Sequence, residues 1–167
     1  MAHTPHRPVG DSFRPTDERD WRRLSWNWAL SYDTKDWQLL NDICTPTLRV
    51  FYQQLDARRS NQIMSKEDYV AQYSSKTSLG DDGLETQHLL GAAAFDEVES
   101  DLVVGNWQIQ ATHRRILPDG GSGWWTGHSY VKHYYQKVED TWMFAGVEPH
   151  TIVLRNGKRE NVFSSFL

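Results

Sequence analysis

Several features are scarce in this sequence of 167 residues, and each absence excludes a class of protein. The only cysteine is Cys44, which excludes an internal disulfide and is typical of a reducing compartment. The sequence has no apolar run near the ~20 residues of a membrane span and no apolar signal peptide at its amino terminus. Consecutive arginines come no more than two at a time, as at residues 22–23 and 58–59, and the net charge is −4. We therefore expect a soluble cytoplasmic protein that binds neither nucleic acid nor a membrane.

Aromatic residues are plentiful instead, with eight Trp and seven Tyr. Aromatic rings build cores and line apolar pockets, so this composition favours a protein with a pocket. The length suits one domain with a substantial core. Residues 1–16 are polar and proline-rich and predict a flexible tail. Residues 17–154 are predicted to form the folded domain, and residues 155–167 a carboxy-terminal tail.

Helical patterns fill the first half of the chain. A predicted cap at Thr16 precedes apolar residues at helical spacing, so a long first helix is expected. Shorter helices are expected at residues 35–43 and 64–73, the latter with Ser65 as its cap. A β-branched and aromatic run predicts a short strand at residues 48–52.

The second half has the pattern of long strands separated by polar turns. These strands are predicted at residues 86–98, 101–117, 123–138 and 141–154. Helices followed by a meander of antiparallel strands indicate an α+β fold with the helices on one sheet face. Because long strands twist strongly, the sheet should curl around the helices into a half-open cone with a ligand pocket inside.

Alternation along each strand indicates which side chains face this interior. In the second long strand, Trp107 and His113 belong to an apolar row that should face inward. His88 lies on the inward row of the first strand, together with the small or apolar residues Leu90, Ala92 and Ala94. In the third strand, Ser129 and Val131 take inward positions. His88, His113 and Ser129 should therefore converge in one cavity.

Polar groups should reach the same cavity from the helical side. Tyr32 continues the apolar row of the first helix, and Asp33 follows where that helix ends. Tyr52 lies at the end of the short strand. A carboxylate in this position either caps a turn or fixes the tautomer of an inward-facing histidine.

Several interpretations of this cluster remain open from the residues alone. Buried polar groups need partners, so the cluster either satisfies itself inside the core or borders a functional pocket. His88, His113 and Asp33 are acceptable metal ligands, but their spacing matches no compact metal motif. Ser129 lacks the turn of an acyl-transfer nucleophile. His133 should stack in the core or lie at a subunit interface.

Several motifs resemble those of fungal scytalone dehydratase, in order and with nearly the spacing of that family. They are SYDTKDW at residues 31–37, TPTLR at 45–49, TQH at 86–88, GHS at 127–129 and WMFAGVEP at 142–149. The resemblance implies a cone-shaped fold shared with nuclear transport factor 2 and ketosteroid isomerase. It also implies a homotrimer without cofactor or metal, acting as a lyase that dehydrates a polyketide-derived cyclic β-hydroxy ketone in melanin-type pathways.

The resemblance implies that the catalytic residues of the family correspond to six residues of this sequence. That set is Tyr32, Asp33, Tyr52, His88, His113 and Ser129. In the family, the two tyrosines act on the substrate carbonyl, and the carboxy-terminal tail closes over the pocket. The tail matches residues 155–167, in which Phe163 retains one of two lid phenylalanines.

The substrate-recognition positions depart from the family. Val131 replaces an asparagine of the pocket, Phe51 replaces an acid, and Arg159 falls where the other lid phenylalanine is expected. Together with Trp107 and Phe163, Val131 and Phe51 form the predicted substrate-binding set. A site that loses one donor to a substrate oxygen changes its selectivity strongly, so an enzyme of secondary metabolism other than the melanin enzyme is favoured.

β-Elimination fits these side chains. His88 is the predicted base with Asp33 as its partner, and the tyrosines stabilise the enolate. His113, oriented by Ser129, is predicted to return a proton to the leaving hydroxide. The alternatives are a cofactor-free isomerase, cyclase or pericyclic enzyme acting on a polyketide, or a non-enzymatic binding module of the same fold.

Overall fold

The computed structural model describes residues 7–8, 14–55, 57, 59–117 and 119–163. Within these described residues, three α-helices and seven strands follow one another, with a short 3₁₀ turn near the end. The helices are α1 (Pro15–Thr34), α2 (Trp37–Ile43) and α3 (Lys66–Ser74). The strands are β1 (Arg7–Pro8), β2 (Cys44–Val50), β3 (Gln62–Ser65), β4 (Leu84–Glu99), β5 (Leu102–Ile116), β6 (Ser122–Val138) and β7 (Thr141–Gly157), and the 3₁₀ turn is Arg159–Asn161. Among the described residues, none of the helices combines the length and apolar character that a membrane crossing needs.

The strands form one mixed sheet in the order β1-β4-β5-β6-β7-β2-β3. The four long strands pair antiparallel, and β2 runs parallel to β7. Helix α1 packs across the sheet against β4 and β7, burying Trp21, Trp28 and Tyr32. The predicted α+β fold, a curved sheet around amino-terminal helices, is confirmed.

The start of α1 differs from the prediction of a cap at Thr16. Arg14 is the N-cap, and Pro15 occupies the first helical position, which proline favours. The Asp17 carboxylate accepts a hydrogen bond from the Arg14 backbone N–H at 2.9 Å. The third helix is capped by Ser65 as predicted, with its hydroxyl accepting from the Asp68 N–H at 3.0 Å.

Two of the short elements also differ from the predictions. β2 begins at Cys44, directly after α2, so Tyr52 follows the strand instead of belonging to it. The second helix starts at Trp37 and not at residue 35 as predicted. Lys35 has a left-handed backbone conformation and caps the carboxy-terminal end of α1. The Lys35 ammonium donates to the backbone carbonyls of Leu79, Asp81 and Leu84 at 2.7–2.9 Å. The end of α1 is thereby tied to the start of β4.

A β-bulge in β4 overturns part of the predicted inward row. The register with β5 shifts between Leu90 and Ala93, so the side chains beyond this point change faces. Ala92 and Ala94 are exposed, whereas Ala93 and Phe95 turn inward against the core. His88 precedes the bulge and keeps the predicted inward orientation.

Gly146 allows β2 to approach β7 closely and so helps to position the segment that carries Tyr52. Its φ is +149°, and a Cβ at this position would lie 2.3 Å from the backbone oxygen of Arg49. We expect Gly146→Ala to lower the free energy of unfolding by about 1–3 kcal/mol, because both the backbone and the strand pairing must distort. Urea unfolding followed by tryptophan fluorescence measures this loss.

Gly120→Ala is the matched control for Gly146→Ala. Gly120 also has a positive φ, +80°, but a Cβ there meets nothing within 4 Å. Equal stability losses in the two variants would contradict the role given to the close approach.

Candidate active site

The end of α1 and the strand β4 bring Asp33 and His88 together. One Asp33 oxygen lies 2.8 Å from His88 Nδ1, and the carboxylate also accepts the His88 backbone N–H at 2.9 Å. The His88 side chain is 8% exposed and that of Asp33 21%. Because the carboxylate accepts a hydrogen bond from Nδ1–H, it fixes the tautomer in which Nε2 is the basic nitrogen. The pair is thus built to accept a proton from a molecule in the interior.

His113 of β5 lies beside His88 on the same inner face. The two ring centroids are 5.6 Å apart, and the rings meet edge to face. Burial, the neighbouring His88 and the Arg159 guanidinium hold the pKa of His113 well below its usual range. His113 is therefore a neutral imidazole at neutral pH. Its Nδ1 is buried and has no hydrogen-bond partner among the described residues.

A cluster of phenols faces the histidines from the helical side. Tyr32 lies 5.4 Å from His88, measured between ring centroids, and its hydroxyl is 2.7 Å from that of Tyr69. The indole N–H of Trp28 donates to the Tyr69 hydroxyl at 3.0 Å. Burial, reinforced by the other phenols, raises the pKa values of Tyr32, Tyr52 and Tyr69 well above their usual range. These hydroxyls therefore stay protonated and can donate hydrogen bonds.

These groups border one cavity of about 130 Å³. An apolar cavity of ~150 Å³ holds a benzene ring, so this cavity accepts a small ring system. The predicted residues in its wall are Tyr32, Tyr52, His88, His113, Ser129, Val131 and Phe163. Asp33 stands behind His88 and is outside the wall. Most of the remaining wall is apolar, which excludes water and strengthens electrostatic interactions inside.

A family model described as scytalone dehydratase matches residues 16–165, which is most of the chain. The chain belongs to the scytalone dehydratase family. Scytalone dehydratase arp1 of Aspergillus fumigatus is 37% identical over 148 residues, which are 85% of this chain and 85% of that protein. The scytalone dehydratase of Pyricularia oryzae is 36% identical over 133 residues, 74% of this chain and 73% of that protein. The predicted family is confirmed.

Solved structures support the fold of this family member. The crystal structure of a hexachlorocyclohexane dehydrochlorinase, LinA type 2, superimposes with a TM-score of 0.67 at 10% sequence identity. The match covers 86% of this chain and 89% of the other chain. At this identity, the likeness shows the fold alone.

Two predicted substrate-binding residues lie away from the cavity wall. Trp107 is six residues from His113, about 20 Å along an extended strand, and its indole N–H donates to the Tyr135 hydroxyl at 2.8 Å. Phe51 packs edge to face on Tyr134, 6.3 Å away. Since neighbouring residues of an extended segment point to opposite sides, a Tyr52 that faces inward directs Phe51 outward. Both predictions are corrected accordingly.

Ser129 lines the cavity but does not orient His113 as predicted. Across the β5–β6 pair, Ser129 lies opposite Ile109, and His113 lies opposite Trp125. The two pairs are four residues apart, about 13 Å along the strands. Residues near His113 on the cavity side are Trp125, at 5.2 Å, and Phe163, at 4.9 Å between ring centroids.

Phe163 belongs to the segment after β7. The strand continues to Gly157, three residues into the predicted tail, and a 3₁₀ turn follows at Arg159–Asn161. Val162 is buried in the core. Residues 164–167 of the predicted tail and residues 1–6 and 9–13 of the amino-terminal tail lie outside the described residues. Closure of the tail over the pocket stays a prediction.

The functional residues that sequence reasoning missed come mainly from α3 and from the chain near residues 59 and 155–159. Tyr69 and Tyr73 are four residues apart on α3 and face inward, and this spacing was the available signal. Tyr73 lines the cavity and is 3% exposed. In the described part of the chain, no group of three His, Cys, Asp or Glu residues could hold a metal ion.

His133 lies in the core beneath the cavity, one of the two positions that the sequence left open. Its ring is fully buried, with Nδ1 2.7 Å from the Ser25 hydroxyl and the Trp28 ring 4.6 Å away. Burial and the nearby His88 lower its pKa to about 3. In this family member, His133 therefore supports Trp28 as a neutral core residue.

The neutral state of His133 makes stability depend on pH. In the unfolded chain it binds a proton near pH ~6.5, whereas in the folded chain it does so only near pH 3. Between these values the unfolded state holds more protons, so stability is full above pH ~6.5 and falls as the pH drops. His133→Asn should reduce the slope of unfolding free energy against pH by about 1.4 kcal/mol per pH unit. Urea titrations in this window measure the slope, and an unchanged slope would contradict the assignment.

Proposed function

We propose that this protein is a cofactor-independent hydro-lyase that removes water from a cyclic, polyketide-derived β-hydroxy ketone. The observation that carries the proposal is the Asp33–His88 pair facing two phenols across one apolar cavity. The product would be an aromatised ring of a pigment-type secondary-metabolite pathway. Membership in the scytalone dehydratase family supports this reaction class.

His88 is the proposed base. Its Nε2 takes the proton from the carbon α to the substrate carbonyl, and the Asp33 carboxylate stabilises the imidazolium that forms. A neutral imidazole with an unprotonated ring nitrogen suits this step. The electron pair of the broken C–H bond moves toward the carbonyl oxygen as an enolate.

Tyr32 and Tyr52 are the proposed donors to that oxygen. Because both phenols keep their protons, they can donate hydrogen bonds to the developing negative charge. Because Tyr69 accepts from Trp28, we assign the Tyr69 proton to its hydrogen bond with Tyr32. The Tyr32 proton is then directed to the substrate. The chain of donors Trp28, Tyr69 and Tyr32 thus polarises the carbonyl.

The leaving group departs from the β-carbon as hydroxide and needs one proton. Burial holds His113 neutral, so we assign it a hydrogen bond to the leaving oxygen instead of the predicted proton transfer. The imidazolium of His88 then returns the proton that it took, its ring lying 5.6 Å from that of His113. The C=C bond forms, water leaves, and His88 is neutral again. No other reactant is consumed.

Val131 favours a substrate other than scytalone. It is 1% exposed and presents an apolar surface to the cavity, so this part of the wall cannot donate a hydrogen bond to a substrate oxygen. A substrate with carbon or hydrogen at that place avoids an unpaired polar group. Ser129, two residues earlier on the same face, supplies a hydroxyl.

Mass spectrometry of incubations with hydroxylated tetralones and anthrone precursors tests the proposed function. We expect a product 18 daltons lighter than one of these substrates with the wild-type protein, and far slower formation of that product with His88→Gln. A product of unchanged mass would assign the cavity to isomerisation or ring closure. Turnover of none of these compounds would contradict the dehydratase proposal.

Tyr69→Phe tests the chain of phenols. The variant keeps the ring in the core but removes the hydroxyl between Trp28 and Tyr32. We expect kcat to fall about tenfold, the effect of one lost hydrogen bond, with a smaller change in KM. Steady-state kinetics measure both constants. Tyr130→Phe, on the outer face of β6, is the control and should match the wild type; an equal loss in both variants would refute the chain.

We also propose that the protein is a homotrimer that assembles through the outer face of the sheet. Leu89 and Val153 are 57% and 66% exposed and border the same hollow on that face, which is a large apolar exposure. Sedimentation equilibrium tests the proposal. A trimer mass for the wild type and a smaller mass for Leu89→Asp with Val153→Asp are expected, and a monomeric wild type would contradict it.

A further inference from the structure

The indole of Trp125 lies across Gly127 on the inner face of β6. Side chains two residues apart on a strand stand on the same face, and a glycine within a strand allows another group to approach the backbone closely. A Cβ at Gly127 would lie 3.2 Å from Cη2 and 3.3 Å from Cζ2 of Trp125. Both residues line the cavity, and Trp125 keeps part of its surface accessible. Gly127 thus lets the indole lie along the strand as part of the cavity wall.

The proposed base belongs to the same row of the sheet as Gly127. His88 pairs with Ala111 across β4 and β5, and Ala111 pairs with Gly127 across β5 and β6. Directly paired residues share a face, so only a methyl group and a hydrogen atom rise from the two strands beside the His88 ring. His88 and Gly127 are two strands apart, which is about 10 Å. A substrate ring at His88 therefore has open space over Ala111 until it meets the Trp125 indole.

Packing around Trp125 closes this end of the cavity. The indole centroid lies 5.2 Å from that of the His113 ring and 6.1 Å from that of the Phe163 ring. Two residues before Trp125, a Cβ at Gly123 would lie 2.3 Å from the backbone oxygen of Asn161. The segment after β7 therefore packs directly on this part of β6. With the strand beneath it and these groups around it, the indole has little room to retreat from a longer ligand.

We propose that Trp125 is a specificity-determining residue, which limits the ring system of the substrate to the space between its indole and His88. This inference rests on the proposed function, because it defines the substrate size of the same site. A span of about 10 Å holds two fused six-membered rings, with the reacting ring at His88. Contact with the indole holds the second ring. A third ring fused in line would press on the indole.

Binding of two ketones that differ by one ring tests the inference without turnover. The probes are 1-tetralone and its linear benzo-fused homologue, neither of which has a β-hydroxyl to lose, and equilibrium dialysis measures their dissociation constants. We expect the wild type to bind 1-tetralone about tenfold or more tightly than the homologue, because the longer ligand overpacks the wall. An open-ended apolar pocket would give the opposite order, since the additional ring buries more apolar surface.

Trp125→Leu should open the end wall of the cavity. We expect this variant to bind the two ketones with affinities within about threefold of each other, or to favour the homologue. Trp124→Leu is the matched control, because it removes the neighbouring indole, which is 51% exposed and outside the wall, and should keep the wild-type ratio. A wild type that does not bind 1-tetralone, affinities within about threefold in the wild type, or a preference that survives in Trp125→Leu would each overturn the inference.

Gly127→Ala should have the opposite effect on the same space. The added methyl group pushes the indole off the strand and into the cavity, so 1-tetralone should bind about three- to tenfold more weakly. Gly91→Ala is the control, because a Cβ there also meets a side chain at 3.2 Å, that of Gln108, but in the hollow on the outer face. It should leave the affinity unchanged, and equal losses in the two variants would contradict the role of Gly127. Unfolding midpoints show that each variant is folded.

The outcome separates this inference from the proposed function. Loss of water from a hydroxylated tetralone, together with equal binding of the two ketones, would leave the dehydratase proposal standing and remove the size limit. A clear preference for 1-tetralone that depends on Trp125, without loss of water from any substrate, would do the reverse.

Discussion

His88→Gln is expected to lower kcat by about 10²- to 10⁴-fold, the range for loss of a general base. Glutamine keeps the backbone N–H that donates to Asp33 and a similar volume, but its amide does not accept a proton at neutral pH. KM should change much less than kcat, because His88 acts in the transition state. Steady-state kinetics on the substrate identified by mass spectrometry measure the loss.

Two further variants show whether the loss of activity in His88→Gln is specific to the proposed base. Asp33→Asn should lower kcat less than His88→Gln, since the base remains but loses the charge that stabilises its imidazolium. His150→Gln is the matched control, because this histidine bonds Asn106 away from the cavity wall and should leave kcat unchanged. A His88→Gln rate within a factor of about three of the wild type would refute the assignment of the base.

Tyr32→Phe has the second-largest expected effect, a decrease in kcat of about 10²- to 10³-fold. The Tyr32 ring is buried among Trp28, Tyr73 and His88, so phenylalanine should keep the packing and remove only the hydroxyl. Removal of one donor to a developing oxyanion has this magnitude in enclosed sites. Single-turnover kinetics measure the chemical step directly.

The double variant Tyr32→Phe with Tyr69→Phe tests whether Tyr69 acts through Tyr32. If Tyr69 acts by directing the Tyr32 proton, the double variant should be no slower than Tyr32→Phe alone, because the group that Tyr69 directs is already absent. Independent, multiplying effects would contradict the donor chain. Circular dichroism and the unfolding midpoint confirm that each variant is folded.

The central pair of the site could be predicted from local patterns. Asp33 ends a helix whose apolar spacing is regular, and His88 lies on an alternating strand segment before the bulge. Side chains near the start of β4 keep the regular alternation between the two faces of the sheet, so the face of His88 was correctly predicted. Gly91 was the available signal of the bulge after Leu90, since an isolated glycine within a strand indicates one, and the faces predicted for Ala92 and Ala94 were wrong because uninterrupted alternation was assumed.

Other parts of the site depend on how far the cavity extends along each strand and on how the sheet curves. The alternation of residues within one strand gives no information on either. Alternation placed Trp107 and His113 on one face correctly, but it gave no limit on how far the cavity extends along β5. Phe51 was assigned by resemblance, and its outward direction follows from the Tyr52 neighbour. Arg59 and Arg155 both border the cavity but are about 100 residues apart in sequence, so only the folded chain brings them together.

A crystal structure with a bound cyclic ketone that lacks the β-hydroxyl is the most direct test of the proposed mechanism, because this analogue should bind but cannot lose water. We expect a carbonyl oxygen within hydrogen-bond distance of the Tyr32 and Tyr52 hydroxyls, and an α-carbon about 3–3.5 Å from His88 Nε2. A carbonyl out of reach of both tyrosine hydroxyls, with the α-carbon out of reach of His88, would contradict this mechanism.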